Sequence, residues 1–140
     1  MSDELTQRGV EVFGELMGPQ AKAAMQQGLL TEDFASATGK LACQFAFASV
    51  WGRDGLERKQ RSLVTIGVLI AQKALSELKN HVRIGMNNGL TVREIEEALI
   101  QTLPYVGFPA VASATTAIIE VLREQGIDTN TRTSEEKGLL

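Results

Sequence analysis

The sequence has one cysteine, Cys43, and one histidine, His81. A lone thiol excludes an intramolecular disulfide and any Cys-x-x-Cys redox or zinc pair. A lone imidazole excludes a site that needs two of them within one subunit. Long apolar runs are missing as well. The longest near-continuous one, Leu63 to Ala71, is interrupted by Thr65 and Gly67, far short of the roughly 20 residues that a membrane span needs. Basic charge is not in excess: 14 lysines and arginines face 17 acidic residues, for a net charge of −3. The basic stripe of a nucleic-acid partner is therefore not expected. The start, from Met1 to Thr6, is acidic and has no basic region before an apolar stretch, which is not the pattern of a secretory signal. A cytoplasmic protein without membrane contact is expected. The phosphate-binding, dinucleotide-binding, zinc-protease and serine-hydrolase motifs are all missing.

What is present is globular composition, 44 % hydrophobic and 22 % charged over 140 residues, enough chain for one core without staples. Helical periodicity dominates. It predicts an all-α chain of about six helices, forming a single domain over residues 1–126, followed by a polar, mobile tail at 127–140. The first helix covers about 3–17, with Leu5, Val12, Phe13 and Leu16 on its apolar side, and Gly18-Pro19 ends it. A polar or alanine-rich stretch follows to Leu30. Thr31 is the expected N-cap of a second helix reaching Trp51, with Phe34, Ala37, Leu41, Phe45 and Ala48 as its stripe. Gly52 to Gly55 reads as a turn.

The run from Leu63 to Ile70 is β-branched enough for a strand, but its length and helical flanks favour a central buried helix over about 57–72. A fourth helix, about 77–88, closes at Asn87-Asn88-Gly89, with Gly89 suited to the left-handed conformation. Thr91 and Glu94 form a capping box that opens the fifth. Pro104 to Pro109 reads as a kinked connector, and Pro109 suits the first turn of a last helix ending at Gly126. That helix is rich in small residues, Ala110, Ala112, Ser113, Ala114 and Ala117, which serve either internal packing or a subunit contact.

Few residues can carry chemistry. Glu77 and His81 stand four apart on one helix, so their side chains share a face. A carboxylate beside an imidazole raises its pKa and fixes its tautomer, as general acid–base work requires. The same spacing also describes an ordinary surface ion pair. Arg61 lies where its helix turns from polar to apolar. A partly desolvated guanidinium there could clamp a carboxylate or cap a helix end. Trp51 and Arg53 flank the glycine turn, and tryptophan there is more often packing than a ligand platform. Tyr105 either presents its hydroxyl to a pocket or packs as a loop aromatic. Cys43 reads as a small buried hydrophobe.

Several collinear segments, from Val50-Trp51-Gly52-Arg53-Asp54-Gly55-Leu56 through Arg61 to Ile66, Glu77 to His81 and Asn87 to Thr91, to Tyr105-Val106-Gly107-Phe108-Pro109-Ala110, resemble the carboxymuconolactone decarboxylase family. The resemblance covers about residues 5–126. The peroxidase-like branch of this superfamily, which includes the alkylhydroperoxidase D proteins, carries Cys-x-x-Cys-x-x-x-His on this helix. Here Ala74 and Glu77 occupy the cysteine positions, so thiol peroxidase chemistry lacks its nucleophile and its resolving thiol. The decarboxylase branch has Glu-x-x-x-His, as here.

The resemblance implies an alkylhydroperoxidase D-like helical subunit in a homo-oligomer, commonly a trimer of dimers. It also implies cofactor-free and metal-free decarboxylation of 4-carboxymuconolactone to 3-oxoadipate enol-lactone, in the protocatechuate branch of the β-ketoadipate pathway. In that setting His81, oriented by Glu77, is the expected proton donor. Arg61 is the expected carboxylate ligand, Arg53 a weaker one, and Trp51 and Tyr105 are expected to shape the pocket. Ser49 and Pro104 depart from the family pattern at positions expected to form pocket walls. A different small carboxylated lactone or keto acid is one alternative, and a non-catalytic helical oligomer the other.

Overall fold

The computed structural model describes residues 2–127 and 130–139. Among these there are seven α-helices, one π-helical segment and no strand. The chain falls into two compact units, one ending at Arg58 and one beginning at Lys59.

In the first unit, helix α1 (Ser2–Met17) buries Val10, Val12 and Leu16. Gly18, at φ +98°, breaks the chain direction, and Pro19 supplies the first residue of α2 (Pro19–Gly28). This short helix was expected only as a connecting stretch. It has no apolar stripe to announce it, buries no residue fully, and is favoured by the helix propensity of its alanines and glutamines. Thr31 does not open the next helix. Its hydroxyl donates to the Gly28 carbonyl at 3.0 Å, closing α2 instead.

Ala35 takes a left-handed φ of 65°, and α3 (Ser36–Leu41) starts after it. It continues as a π-helical segment, Ala42–Trp51. Bonds from residue i+5 to i, such as Gly52 N–H to Phe47 O at 2.9 Å, put more residues into each turn. From Ala42 on, a stripe counted at 3.6 residues therefore loses phase. Cys43, Ala48 and Trp51 are buried, whereas Phe34, Leu41 and Phe45 are exposed. This segment packs on α1 very closely: a Cβ at Gly9 would lie 2.1 Å from the Cys43 carbonyl oxygen. Phe13 and Phe47 meet edge to face at 4.8 Å. Gln44 donates to the Thr6 hydroxyl at 3.0 Å.

In the second unit, α4 (Arg58–Gln72, its first residue still in the first unit), α5 (Leu75–Asn87), α6 (Val92–Val106) and α7 (Phe108–Glu124) surround one apolar core. The Leu63–Ile70 run is helical. It is not buried all round: Ser62, Ile66 and Ile70 face the core while Val64 and Val68 are exposed. Helix α5 buries Leu78, Val82 and Gly85 at i, i+4 and i+7. Its end is closed by a bond from Leu90 N–H to Gly85 O at 2.9 Å, with Gly89 at φ +99°.

The Thr91–Glu94 box is reciprocal, at 3.1 and 2.9 Å. Pro104 does not begin a connector. It sits inside α6, on its exposed side, and the break falls three residues later at Gly107, φ 88°. Of the small residues in α7, Ala110, Ala114 and Ala117 are buried, and Ala112 and Ser113 face outward. Ion pairs Lys79–Glu120 and Arg83–Glu124 (the latter 2.7 Å) tie α5 to α7. From the last turn of α7, Arg123 donates to the Thr131 carbonyl at 2.6 Å and pairs with both Glu136 oxygens. Glu136 accepts from Thr133 N–H at 2.8 Å. Its carboxyl is held at about 2, first by the Arg123 hydrogen bond and then by the Thr133 backbone.

Candidate active site

Helix α5 carries the acid–imidazole pair. Glu77 lies in its first turn, where a carboxylate suits the helix dipole, and its side chain is exposed. Asn80 Nδ2 approaches Glu77 Oε1 at 3.5 Å. His81 follows one turn later on the same side. It is half-buried, with Nδ1 shielded from solvent. The neighbours expected around it, Leu78, Ile84 and Gly85, are all buried.

The spacing argument predicts a raised imidazole pKa, and the structure reverses it. Burial penalises the charged ring more than the Glu77 charge favours it, so the His81 pKa lies below its ordinary 6.5.

Arg61 is half-buried in α4, with Nε shielded from solvent, which is the partial desolvation anticipated for it. The next residue, Ser62, is fully buried and accepts from Asn88 Nδ2 at 2.9 Å. Helices α4 and α5 meet here at Gly85. A Cβ on it would lie 3.5 Å from Ile66 Cδ1 and 3.6 Å from Ser62 Cβ. The Arg61 turn and the His81–Gly85 turn are thus carried by helices in direct contact. The spacing of residues had not singled out Ser62. A buried serine in an otherwise apolar face was the one available signal.

The other expected residues lie elsewhere. Trp51 is buried at the end of the π segment and Arg53 is exposed in the following turn. With Arg8, Asp54 and Arg58 they line a hollow of about 480 Å³ in the first unit. Tyr105 is 80 % exposed near the end of α6. A hollow of about 630 Å³ between α4 and α6, floored by Leu63, Gly67 and Ala98, contains none of the six expected residues. Cys43 is buried, donates to the Thr6 carbonyl at 3.4 Å, and has its pKa raised by desolvation.

Ala74 and Glu77 stand where the thiol-peroxidase branch of the resembled family has its cysteines. The model of the Carboxymuconolactone decarboxylase family matches residues 36–120. A 4-carboxymuconolactone decarboxylase of Acinetobacter baylyi is 37 % identical over 128 residues, 91 % of this chain and 94 % of that protein. A nitrosuccinic acid decarboxylase of Metarhizium robertsii is 37 % identical over 118 residues, covering 81 % and 80 %. An uncharacterized 15.0 kDa protein of Paracoccus denitrificans is 40 % identical over 70 residues, about half of each chain. The chain belongs to the carboxymuconolactone decarboxylase family, and it is an enzyme of the carboxy-lyase class. Among the described residues no helix is long and apolar enough to cross a membrane.

Proposed function

We propose that the enzyme decarboxylates a small dicarboxylate whose departing carboxylate sits on a carbon conjugated to an electron-accepting group, with 4-carboxymuconolactone as the substrate and 3-oxoadipate enol-lactone as the product. The observation that carries this reading is the half-buried His81, one turn from Glu77 and on a helix in contact with the Arg61 helix.

In this lactone the carbon–carbon bond to the departing carboxylate is conjugated, through the ring double bond, to the lactone carbonyl. Loss of carbon dioxide leaves an electron pair that spreads onto the carbonyl oxygen as a dienolate. One proton then returns to the carbon next to that carbonyl. The substrate is its own electron sink, so the protein has three tasks: to hold carboxylates, to stabilise the developing oxyanion, and to deliver the proton. Arg61 holds a carboxylate. His81 delivers the proton, with Glu77 biasing the ring toward its charged form. The low pKa of the free imidazole fits this role through binding: two substrate carboxylates nearby favour the imidazolium, so the acid forms as the substrate arrives.

Tyr105 is a weaker candidate for a substrate contact. Trp51 and Arg53, residues of the first unit, are assigned by family pattern alone. The exposed apolar side chains Phe34, Leu41, Phe45, Val64 and Val68 support a homo-oligomer, for which a trimer of dimers is the assembly to test by light scattering.

The functional test is direct. Purified enzyme added to 4-carboxymuconolactone should abolish the substrate's absorbance and release carbon dioxide. The nitrosuccinic acid decarboxylase relative favours a second reading, in which nitrosuccinate is the substrate and its nitro group the electron sink. Turnover of nitrosuccinate without turnover of the lactone would select it. Turnover of neither would overturn both substrate assignments.

A further inference from the structure

The side chain joining α4 to the end of α5 has no part in the chemistry above, yet it sits where the two functional turns meet. Among the described residues, Ser62 is the only polar one of the largest fully buried side chains of the second unit. It follows Arg61 directly, and its Oγ accepts from Asn88 Nδ2 across 26 residues of sequence at 2.9 Å. Asn88 is the C-cap of α5, so its backbone is fixed by the helix that carries His81. One turn before it, Gly85 offers no side chain: Leu90 Cδ1 fills that space, 2.8 Å from where a Cβ would sit, and Ile66 and Ser62 lie alongside at ordinary contact distance. A buried polar group is retained against an apolar replacement only where its hydrogen bond is made. An alanine at position 62 would fill the same core more simply.

We propose that Ser62 and Asn88 are a positioning pair for the decarboxylation site. Their hydrogen bond locks the sliding and rotation of α4 against α5, and so fixes where the Arg61 guanidinium stands relative to the His81 imidazole. Neither residue touches the substrate. Their effect reaches the reaction through Arg61, which has to meet a carboxylate with both nitrogens aligned. The inference rests on the reading of Arg61 as the carboxylate ligand proposed above.

The experiment uses the full-length enzyme and two readouts. Binding of succinate, a non-reacting dicarboxylate, is followed by the proton NMR signals of the imidazole, which are unambiguous because the chain has one histidine. Turnover of 4-carboxymuconolactone gives kcat and KM. Ser62→Ala should weaken succinate binding and raise KM by about tenfold each while kcat changes less than about twofold. Ser62→Thr, which keeps the hydroxyl, should stay within about twofold of wild type. Asn88→Ala should reproduce the Ser62→Ala effect, and serves as the second variant if Ser62→Ala fails to fold.

A lower melting temperature in Ser62→Ala and Asn88→Ala, with succinate affinity and KM unchanged, would make the pair purely structural and overturn the proposal. If wild type binds succinate and Ser62→Ala weakens it, but the lactone is not turned over, the positioning role stands and the substrate assignment falls. If wild type binds no succinate, Arg61 is not the carboxylate ligand and the positioning role falls with it.

Discussion

The two units solve the same packing problem in different ways. The second unit uses long, regular helices whose apolar residues recur at i, i+3 and i+4, and its core is one continuous cluster from Ile66 to Leu122. The first unit has a helix of six residues running into a π-helical segment, and relies on backbone-to-backbone approach at Gly9. A core made of side chains tolerates local collapse when an atom is removed. A contact made of backbone tolerates no added atom at all. The first unit should therefore be brittle to small-to-large changes and the second to large-to-small ones.

That contrast can be broken most sharply at Gly9. Gly9→Ala puts a Cβ 2.1 Å from a carbonyl oxygen, and is expected to cost about 3 kcal/mol or more by denaturant melting. Gly28→Ala, where nothing lies within 4 Å, should be neutral or slightly stabilising. If both alanines behave alike, close approach is not what holds α1 to the π segment. In the second unit Leu78→Ala, at a fully buried position, should cost about 2–5 kcal/mol. A loss below about 1 kcal/mol would mean that this core collapses more freely than its regular helices suggest.

The caps sharpen the comparison at a smaller scale. Thr91→Ala removes a reciprocal box and should cost about 1 kcal/mol. Thr31→Ala, which removes only an exposed closing bond, should stay within about 0.5 kcal/mol.

The smallest effect is electrostatic. The His81 midpoint by NMR should lie below 6.5, and Glu77→Gln should lower it further, because the attraction that partly offsets burial is gone. A midpoint that rises in Glu77→Gln would refute the pairing. Because the folded-state value lies below the unfolded one, His81 adds full stability above pH 6.5 and loses it as pH falls toward the folded pKa. His81→Gln should flatten that part of the stability profile.

Helix boundaries set by local chemistry were legible in the sequence. Thr91 with Glu94, Gly89 after Asn87-Asn88, and Gly18-Pro19 all act through their immediate neighbours, so no tertiary information is needed. What was not legible depends on register or environment. Helix α2 lacks an apolar stripe to betray it. The π segment shifts the residues per turn, which sends Phe45 outward although a 3.6-residue count places it inside. Pro104 reads as a helix breaker, yet it is accommodated on an exposed face near the helix end, where solvent can satisfy the carbonyl that loses its donor. At the site, residue spacing placed Glu77 beside His81 correctly. It erred on the direction of the pKa, because spacing reports the neighbouring charge and not how much water the ring has lost. For Ser62 the sequence offers only its register with Ile66 and Ile70, which marks the face but not the hydrogen bond to Asn88.

The clasp that Arg123 and Glu136 form beyond α7 carries a practical corollary for handling the enzyme. A carboxyl held at about 2 stays ionised through the range in which ordinary glutamates become protonated, so mild acid will not unfasten it. Brine is the better key: both partners are solvent-accessible, and dissolved ions compete for such charges. Loosening of residues 130–139 should therefore track ionic strength long before it tracks acidity.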